Sequence, residues 1–416
     1  MAVIREMKSI REQLALAVCT TLGSIQQSHA IDNAWDIDSS YLYYSESDDR
    51  VKVNKAVLQI QGDLTDDDIA SATWVLDTMS GATPSGAVRS ENSSVTTTSA
   101  SGAGASSLNG ARPDLVEFND TRLAFLLAWA HKPNRLLTVN YGGSVSVEND
   151  YQSYGASLSV NQDNDDRSNT YTLGASVAYD QIFRKTGGTP APLSRIEDEI
   201  FNDDGEKYVY EAIAGVSHVF NRRTVAQINY NIIYADGYQT DPYKVISMAN
   251  VVGISSDTTF SYGEIDRFYE SRPFTRLRNV VFSSLSHQYG EKNEVVHISY
   301  RYYSDDWDVI AHSVDLTHRR PLGENSYIEP HVRLHTQTAA SFFLHHLEYA
   351  QPLPLFASAD YRLDAMQSIT AGIQYGQVIA GGKLRIRVEY IDQQFEGAEY
   401  DENRATVFQM SFEKQF

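Results

Sequence analysis

From Ala405 to Phe416 the chain alternates residue by residue. Phe408, Met410, Phe412 and Phe416 fall on one face; Val407, Gln409, Ser411, Glu413 and Gln415 fall on the other. Side chains of a strand point alternately to opposite sides, so this segment has one greasy face and one wet face. The pattern recurs upstream. Over 225–234, Gln227, Asn229 and Asn231 stand opposite Ala226, Ile228, Tyr230, Ile232 and Tyr234; over 171–179, Tyr171, Leu173, Ala175, Val177 and Tyr179 alternate with small or polar residues. Sixteen such segments can be counted, over 36–45, 51–62, 68–79, 117–131, 135–148, 150–162, 170–183, 207–220, 223–235, 273–289, 293–304, 307–320, 326–338, 366–379, 383–395 and 405–416. Most are about 10–15 residues long, enough to cross a bilayer at a tilt of about 45°. The pattern predicts an all-β fold: a transmembrane antiparallel β-barrel of about 16 strands, with 14 to 18 allowed.

A terminal Phe on an alternating strand resembles the closing strand of bacterial outer-membrane barrels, where it is the assembly signal; Phe416 is assigned that role. Lys414 departs from the pattern, since an aromatic is more usual there. No apolar run is long enough for a membrane-spanning helix. The chain holds 26 Tyr against 16 Phe and 4 Trp. Tyr suits the two membrane–water boundaries, and it is also a good strand former. The net charge of -20 argues against nucleic acid as a partner.

Residues 1–30 read as a secretory signal. Arg5, Lys8 and Arg11 precede a short apolar core from Leu14 to Ile25, and Ser28-His29-Ala30 offers a cleavage site. The one cysteine, Cys19, lies in that core, so the mature chain has no disulfide and no thiolate metal site. Residues 31–416 are then a single barrel in the bacterial outer membrane.

The connections check this reading, because outer-membrane barrels have short periplasmic turns and long external loops. With Phe416 periplasmic, the four longest connections, about 80–116, 184–206, 236–272 and 339–365, all fall outside. The count works only if 68–79 is a strand. Residues 89–110, rich in Ser, Thr, Gly and Ala, are expected to be mobile. Acidic runs in the loops, such as Asp48-Asp49 and Glu197-Asp198-Glu199, suit solvated surface or cation bridges to lipopolysaccharide.

Strand parity names inward residues. Glu329, His331, Arg333, His335 and Gln337 alternate with Ile328, Pro330, Val332 and Leu334. Arg385, Arg387 and Glu389 alternate with Leu384, Ile386, Val388 and Tyr390. His297, Arg301, Asp315 and Arg319 join them as lumen-lining candidates. Asp315 is expected to be offset by Arg319. Arg301, Arg333, Arg385 and Arg387 then face only Glu329 and Glu389, a local positive excess. Such rows either fill a lumen by pairing or favour anions in an open pore.

Eight of eleven histidines lie between His287 and His346. His331 and His335 are on one face but about 13 Å apart along a strand, too far for one ion, so no metal site or cofactor is assigned. No nucleophile motif pairs a serine with His312 or His318, so no catalytic residues are assigned and the chain is not read as an enzyme.

Four stretches carry a family likeness: Ser80-Gly81-Ala82-Thr83-Pro84-Ser85-Gly86; Glu270-Ser271-Arg272-Pro273 with Arg276; Tyr300-Arg301-Tyr302-Tyr303-Ser304-Asp305-Asp306-Trp307; and Pro330-His331-Val332-Arg333 running into Thr336-Gln337-Thr338-Ala339-Ala340-Ser341-Phe342. Together they resemble the proteobacterial proteins catalogued as domain of unknown function 3570. The resemblance spans most of the mature chain and implies an outer-membrane barrel with no established activity. It also implies a neighbourhood of a small lipoprotein, a thioredoxin-like protein and a flavin transferase, an envelope redox system.

Two functions follow as expectations. One is passage or binding of a small polar, anionic solute. The alternative is a plugged, non-conducting barrel serving as outer-membrane partner of an envelope redox or maturation complex. The expected partners are outer-membrane lipid and lipopolysaccharide, the barrel assembly machinery, and small envelope lipoprotein or redox proteins.

Overall fold

The computed structural model describes residues 35–47, 50–84, 86, 96–98, 105–107, 115–254, 260–379, 381–398 and 400–416. The proposed signal, residues 1–30, and much of 89–110 lie outside the described residues. Sixteen antiparallel strands close into one barrel. They are β1 (Trp35–Glu46), β2 (Lys52–Thr65), β3 (Asp68–Pro84), β4 (Leu115–Asn134), β5 (Leu137–Val147), β6 (Tyr151–Asp163), β7 (Asn169–Ile182), β8 (Gly205–Asn221), β9 (Thr224–Gly237), β10 (Thr275–Tyr289), β11 (Glu294–Asp305), β12 (Ile310–Pro321), β13 (Ser326–Gln337), β14 (Met366–Ile379), β15 (Gly382–Phe395) and β16 (Glu402–Gln415).

Each strand pairs with its sequence neighbours, and β16 pairs with β1 from Asp36↔Gln415 to Glu46↔Ala405. Trp35 and Phe416 exchange backbone hydrogen bonds of 3.3 and 2.9 Å at that seam. The segment expected at 68–79 is β3, paired on both sides and running on to Pro84.

The alternation has a physical consequence in the closed sheet. Leu173, Val177, Ile228, Ile298, Leu316, Val332, Leu334, Ile373 and Val388 are exposed, Leu173 at 65%. An apolar belt of this extent left in water would be costly; against lipid it is favourable. Aromatic residues mark its edges, among them Trp129 stacked on Tyr141 at 5.1 Å with its indole N–H donating to Asp68 (3.0 Å). A ring apolar in body and polar at one tip suits that boundary.

The four long connections (β3–β4, β7–β8, β9–β10 and β13–β14) all emerge at one end, opposite the short turns and Phe416. A sixteen-strand barrel is too wide for its own side chains to fill, and loop chain enters the space. A hairpin of Val245–Ile254 with Phe260–Tyr269 lies in the β9–β10 connection. Backbone bonds lace it and the segment after it to the β13–β14 connection: Leu347 N to Ser247 O at 2.7 Å, Ala249 N to Leu347 O at 2.9 Å, and Ser271 with Ala357 in both directions at 2.9 Å. Ile246, Met248, Phe268, Leu347 and Ala357 form its apolar core.

A charge-paired plug and a cavity as candidate functional site

At the long-loop end the two connections bury a cluster of charges. Asp360 accepts from Arg272 Nη2 (2.7 Å) and from Arg362 Nε (2.6 Å). Arg272 Nε stands 2.7 Å from Glu270, and Arg362 Nη2 donates to Asp241 at 3.1 Å. Ser358 donates to Glu270, and Lys244 lies 5.7 Å from the Tyr361 ring. Three bases thus meet three acids, and all but Asp241 are buried against solvent. Buried charge is tolerable only when paired and hydrogen-bonded.

The electrostatics follow from that burial. Burial alone would raise Asp241 and Asp360, but Arg362 and Lys244 hold both below the usual carboxylate range. Burial pushes Glu270 up, against the pull of Arg272. Burial drives Lys244 down to about 8, with Asp360 opposing and Arg362 adding to the fall. The cluster touches much of the rim: Arg50 lies over the Tyr361 and Tyr400 rings at 5.5 and 5.3 Å, Arg195 pairs with Asp266 at 3.0 Å, and Tyr361 packs edge-on to Phe395.

Parts of all four stretches singled out in the sequence meet here. Glu270, Ser271 and Arg272 are in the cluster. Arg276 donates to Asp305 at 2.8 and 2.6 Å and stacks on buried Trp307 at 4.0 Å. Tyr303 and the backbone of Trp307 also donate to Asp305, at 2.6 and 3.0 Å. Phe342 packs edge-on to Trp307. Gly81 and Gly86 have φ of +122° and +97°, and a Cβ would strike the carbonyls of Arg50 and Val245, so only glycine lets these backbones pass.

The inward candidates lie on the other wall, on the sheet face opposite the exposed apolar rows. His331 bridges Asp315 (3.3 Å) and Glu389 (2.8 Å), with Arg333 4.0 Å from Asp315 and Arg387 3.6 Å from Glu389. Arg319 pairs with Glu329 at 2.6 Å, not with Asp315 as expected. His297 and His335 bond Ser286 and Ser313, each at 2.8 Å; Gln337 donates to the Arg362 and Asp364 carbonyls; Arg301 lies 5.7 Å from the Phe282 ring. The expected positive excess does not survive. Arg385 meets Asp38 of β1 (2.9 Å) and Glu413 of β16 (3.3 Å), two acids that parity within two strands could not bring in.

Beneath the plug a cavity of about 240 Å³ runs along β4–β8. Its wall is small: Ser144, Gly155, Ser157, Ser159, Gly174 and Ser176 are among its residues, and 238–242 with Arg272 lie over it. Arg278 reaches it from β10. At its edge Asp120, Glu148 and Asp150 bring carboxylate oxygens within 4.8 Å of one another, the one such acidic group among the described residues. Protein groups already meet part of that charge: Asn149 donates to Asp120 at 2.9 Å and Arg122 stands 3.9 Å from Glu148.

The family model described as Protein of unknown function (DUF3570) matches residues 11–411. The chain belongs to this family. No curated protein matches it. Among solved structures, a DUF3570 barrel such as this is similar to a mutant of the ferric enterobactin receptor PfeA from Pseudomonas aeruginosa, with 9% identity over 88% of this chain and 54% of that one and a TM-score of 0.43. It is also similar to a bacterial polysaccharide outer membrane secretin (10% identity, 92% and 99% covered, TM-score 0.46). The outer membrane protein OpdK from Pseudomonas aeruginosa gives 8% identity, 92% and 99% covered, TM-score 0.41. The chain spans about half the length of the siderophore receptor.

Sequence reasoning missed the plug as a site. Its charges sit in loops with no periodicity to mark them; the signal present was the family stretches themselves, which cluster with these residues.

Proposed function

We propose that this DUF3570 protein is an integral outer-membrane barrel that takes a small polar solute through a lumen narrowed at its outer end by the loop plug. The observation that carries this reading is the cavity: a wall rich in serine, glycine and alanine with charged groups among them, under an ordered roof, a space for a ligand rather than a packed core. The twelve inward candidates line the facing wall in this reading, and their pairing makes that wall a rigid polar surface rather than an anion filter. Long loops face outward, and their acids bridge to lipopolysaccharide through divalent cations. The β1–β16 seam ending at Phe416 is where the assembly machinery acts. No enzymatic step is proposed.

Single-channel recording of the purified barrel in planar bilayers tests this. Small, discrete conductance is expected. Silence in both the wild type and a variant with a broken plug would refute passage. A second reading has its own support: parts of all four family stretches meet at the closure of the mouth, which suits a sealed barrel whose outer-membrane role is to hold a redox or maturation partner. Silent bilayers together with co-purification of an envelope lipoprotein or thioredoxin-like protein would favour it. A tag inserted beside Leu355, 78% exposed in the β13–β14 connection, should be reachable on intact cells; labelling only after lysis would invert the orientation.

A further inference from the structure

We propose that the cavity is a binding site for a small hydroxylated monocarboxylate, gripped by the guanidinium of Arg278 and the phenol of Tyr238. The proposal deepens the reading of the barrel as a solute carrier and rests on it. Arg278 and Tyr238 both line the cavity. Arg278 is only 7% exposed, and its Nε is buried with no acceptor. Among the described residues it donates no hydrogen bond and forms no ion pair. The reason is local. Asp305 stands directly across from Arg278 in the β10–β11 register, but its carboxylate is taken by Arg276 at 2.6 Å. Glu211 also lines the cavity and is near enough to feel the charge of Arg278, but it makes no hydrogen bond with it; its oxygens accept from Asn231 and from Ser176 (3.4 Å). The Tyr238 hydroxyl is likewise buried without a partner.

A guanidinium keeps its proton in proteins, and a buried charge left unpaired is costly. An entering anion that accepts from Arg278 removes that cost. The planar fork fits a carboxylate through two parallel hydrogen bonds. Four acids, Glu148, Asp180, Glu211 and Asp241, and four bases line the same cavity; of the bases, Arg122, Lys207 and Arg272 already stand beside Asp77, Asp180 and Glu270, so Arg278 offers one positive charge, which matches a monoanion better than a dianion. Ser144, Ser157 and Ser159 offer hydroxyls that donate and accept, which suits a ligand bearing hydroxyl groups.

The test is calorimetric titration of the purified full-length barrel in detergent with sodium gluconate. Glucose serves as an uncharged comparator and sodium sulfate as a dianion. Gluconate is expected to bind at least about tenfold more tightly than either, since the charge-assisted bonds form only with it. Arg278→Gln should weaken gluconate about 10- to 100-fold, and Tyr238→Phe about 3- to 10-fold. Heat-dependent migration on gels confirms that each variant is folded. If Arg278→Gln does not fold, Arg278→Lys, which keeps the charge but loses the fork, takes its place with the same expected direction. Absence of gluconate binding, equal binding of glucose or sulfate, or affinity unmoved in the folded variants would each overturn the site. A barrel that conducts in bilayers yet fails these titrations removes the site alone; one that neither conducts nor binds removes the solute-carrier reading as well.

Discussion

Asp360→Ala strikes the plug at its centre. The carboxylate receives Arg272 and Arg362 at 2.6–2.7 Å in a site closed to solvent. Its removal leaves Lys244, Arg272 and Arg362 facing only Asp241 and Glu270, a net buried positive charge. Removing one partner of a buried pair costs about 3–5 kcal/mol. At about 1.4 kcal/mol per decade, the closed arrangement is disfavoured by a factor of about 10² to several times 10³. The barrel wall holds its own ladder of hydrogen bonds and, among the described residues, contributes no partner to the Asp360 carboxylate, so the loss falls on the loops. Two measurements read it. In planar bilayers the variant should show larger or more frequent openings than the wild type. Limited proteolysis of intact cells should cut after Arg362, which is buried in the wild type. Wild-type conductance and an unchanged digestion pattern in a correctly inserted variant would refute the account of the cluster as the element that closes the mouth.

Lys244 gives a pH dependence. Its amine is held at about 8 when the loops are closed, against the ordinary lysine value of 10.5 when they are open. Between these values the open state binds more protons, so closure strengthens as pH rises from 8 toward 10, by at most about 3 kcal/mol; loop amide protection factors that fall over this range would contradict it. Arg333→Glu with Arg387→Glu sets like charge beside Asp315 and Glu389; the expected result is a lower thermal midpoint of the folded barrel rather than a switch in ion preference, and a clean reversal of selectivity at unchanged stability would contradict the pairing. Deleting Phe416 removes its two backbone bonds to Trp35 at the seam; less assembled barrel and more periplasmic degradation are expected, and normal yield would count against the role given to the residue.

The barrel was legible because one rule, alternation with period two, acts locally and repeats. Each strand must place its apolar set toward lipid, so residues such as Val332 and Val388 name their neighbours' direction without any knowledge of the rest of the chain. Loop lengths and strand parity then placed the four long connections at one end. The family stretches could be read as marks, but not as contacts.

Three things depended on the tertiary structure. Closure makes β1 and β16 neighbours, and so Asp38 meets Arg385 across 347 residues of sequence; the charge of the wall cannot be summed without that contact. The plug brings Asp241, Glu270 and Asp360 together from two loops, and burial, which no single segment encodes, is what makes their pairing obligatory. Arg278 has the parity of its neighbour Arg276. Only the register between β10 and β11, and the one carboxylate of Asp305 that both could reach, decide that Arg276 is satisfied while Arg278 is left to face the cavity.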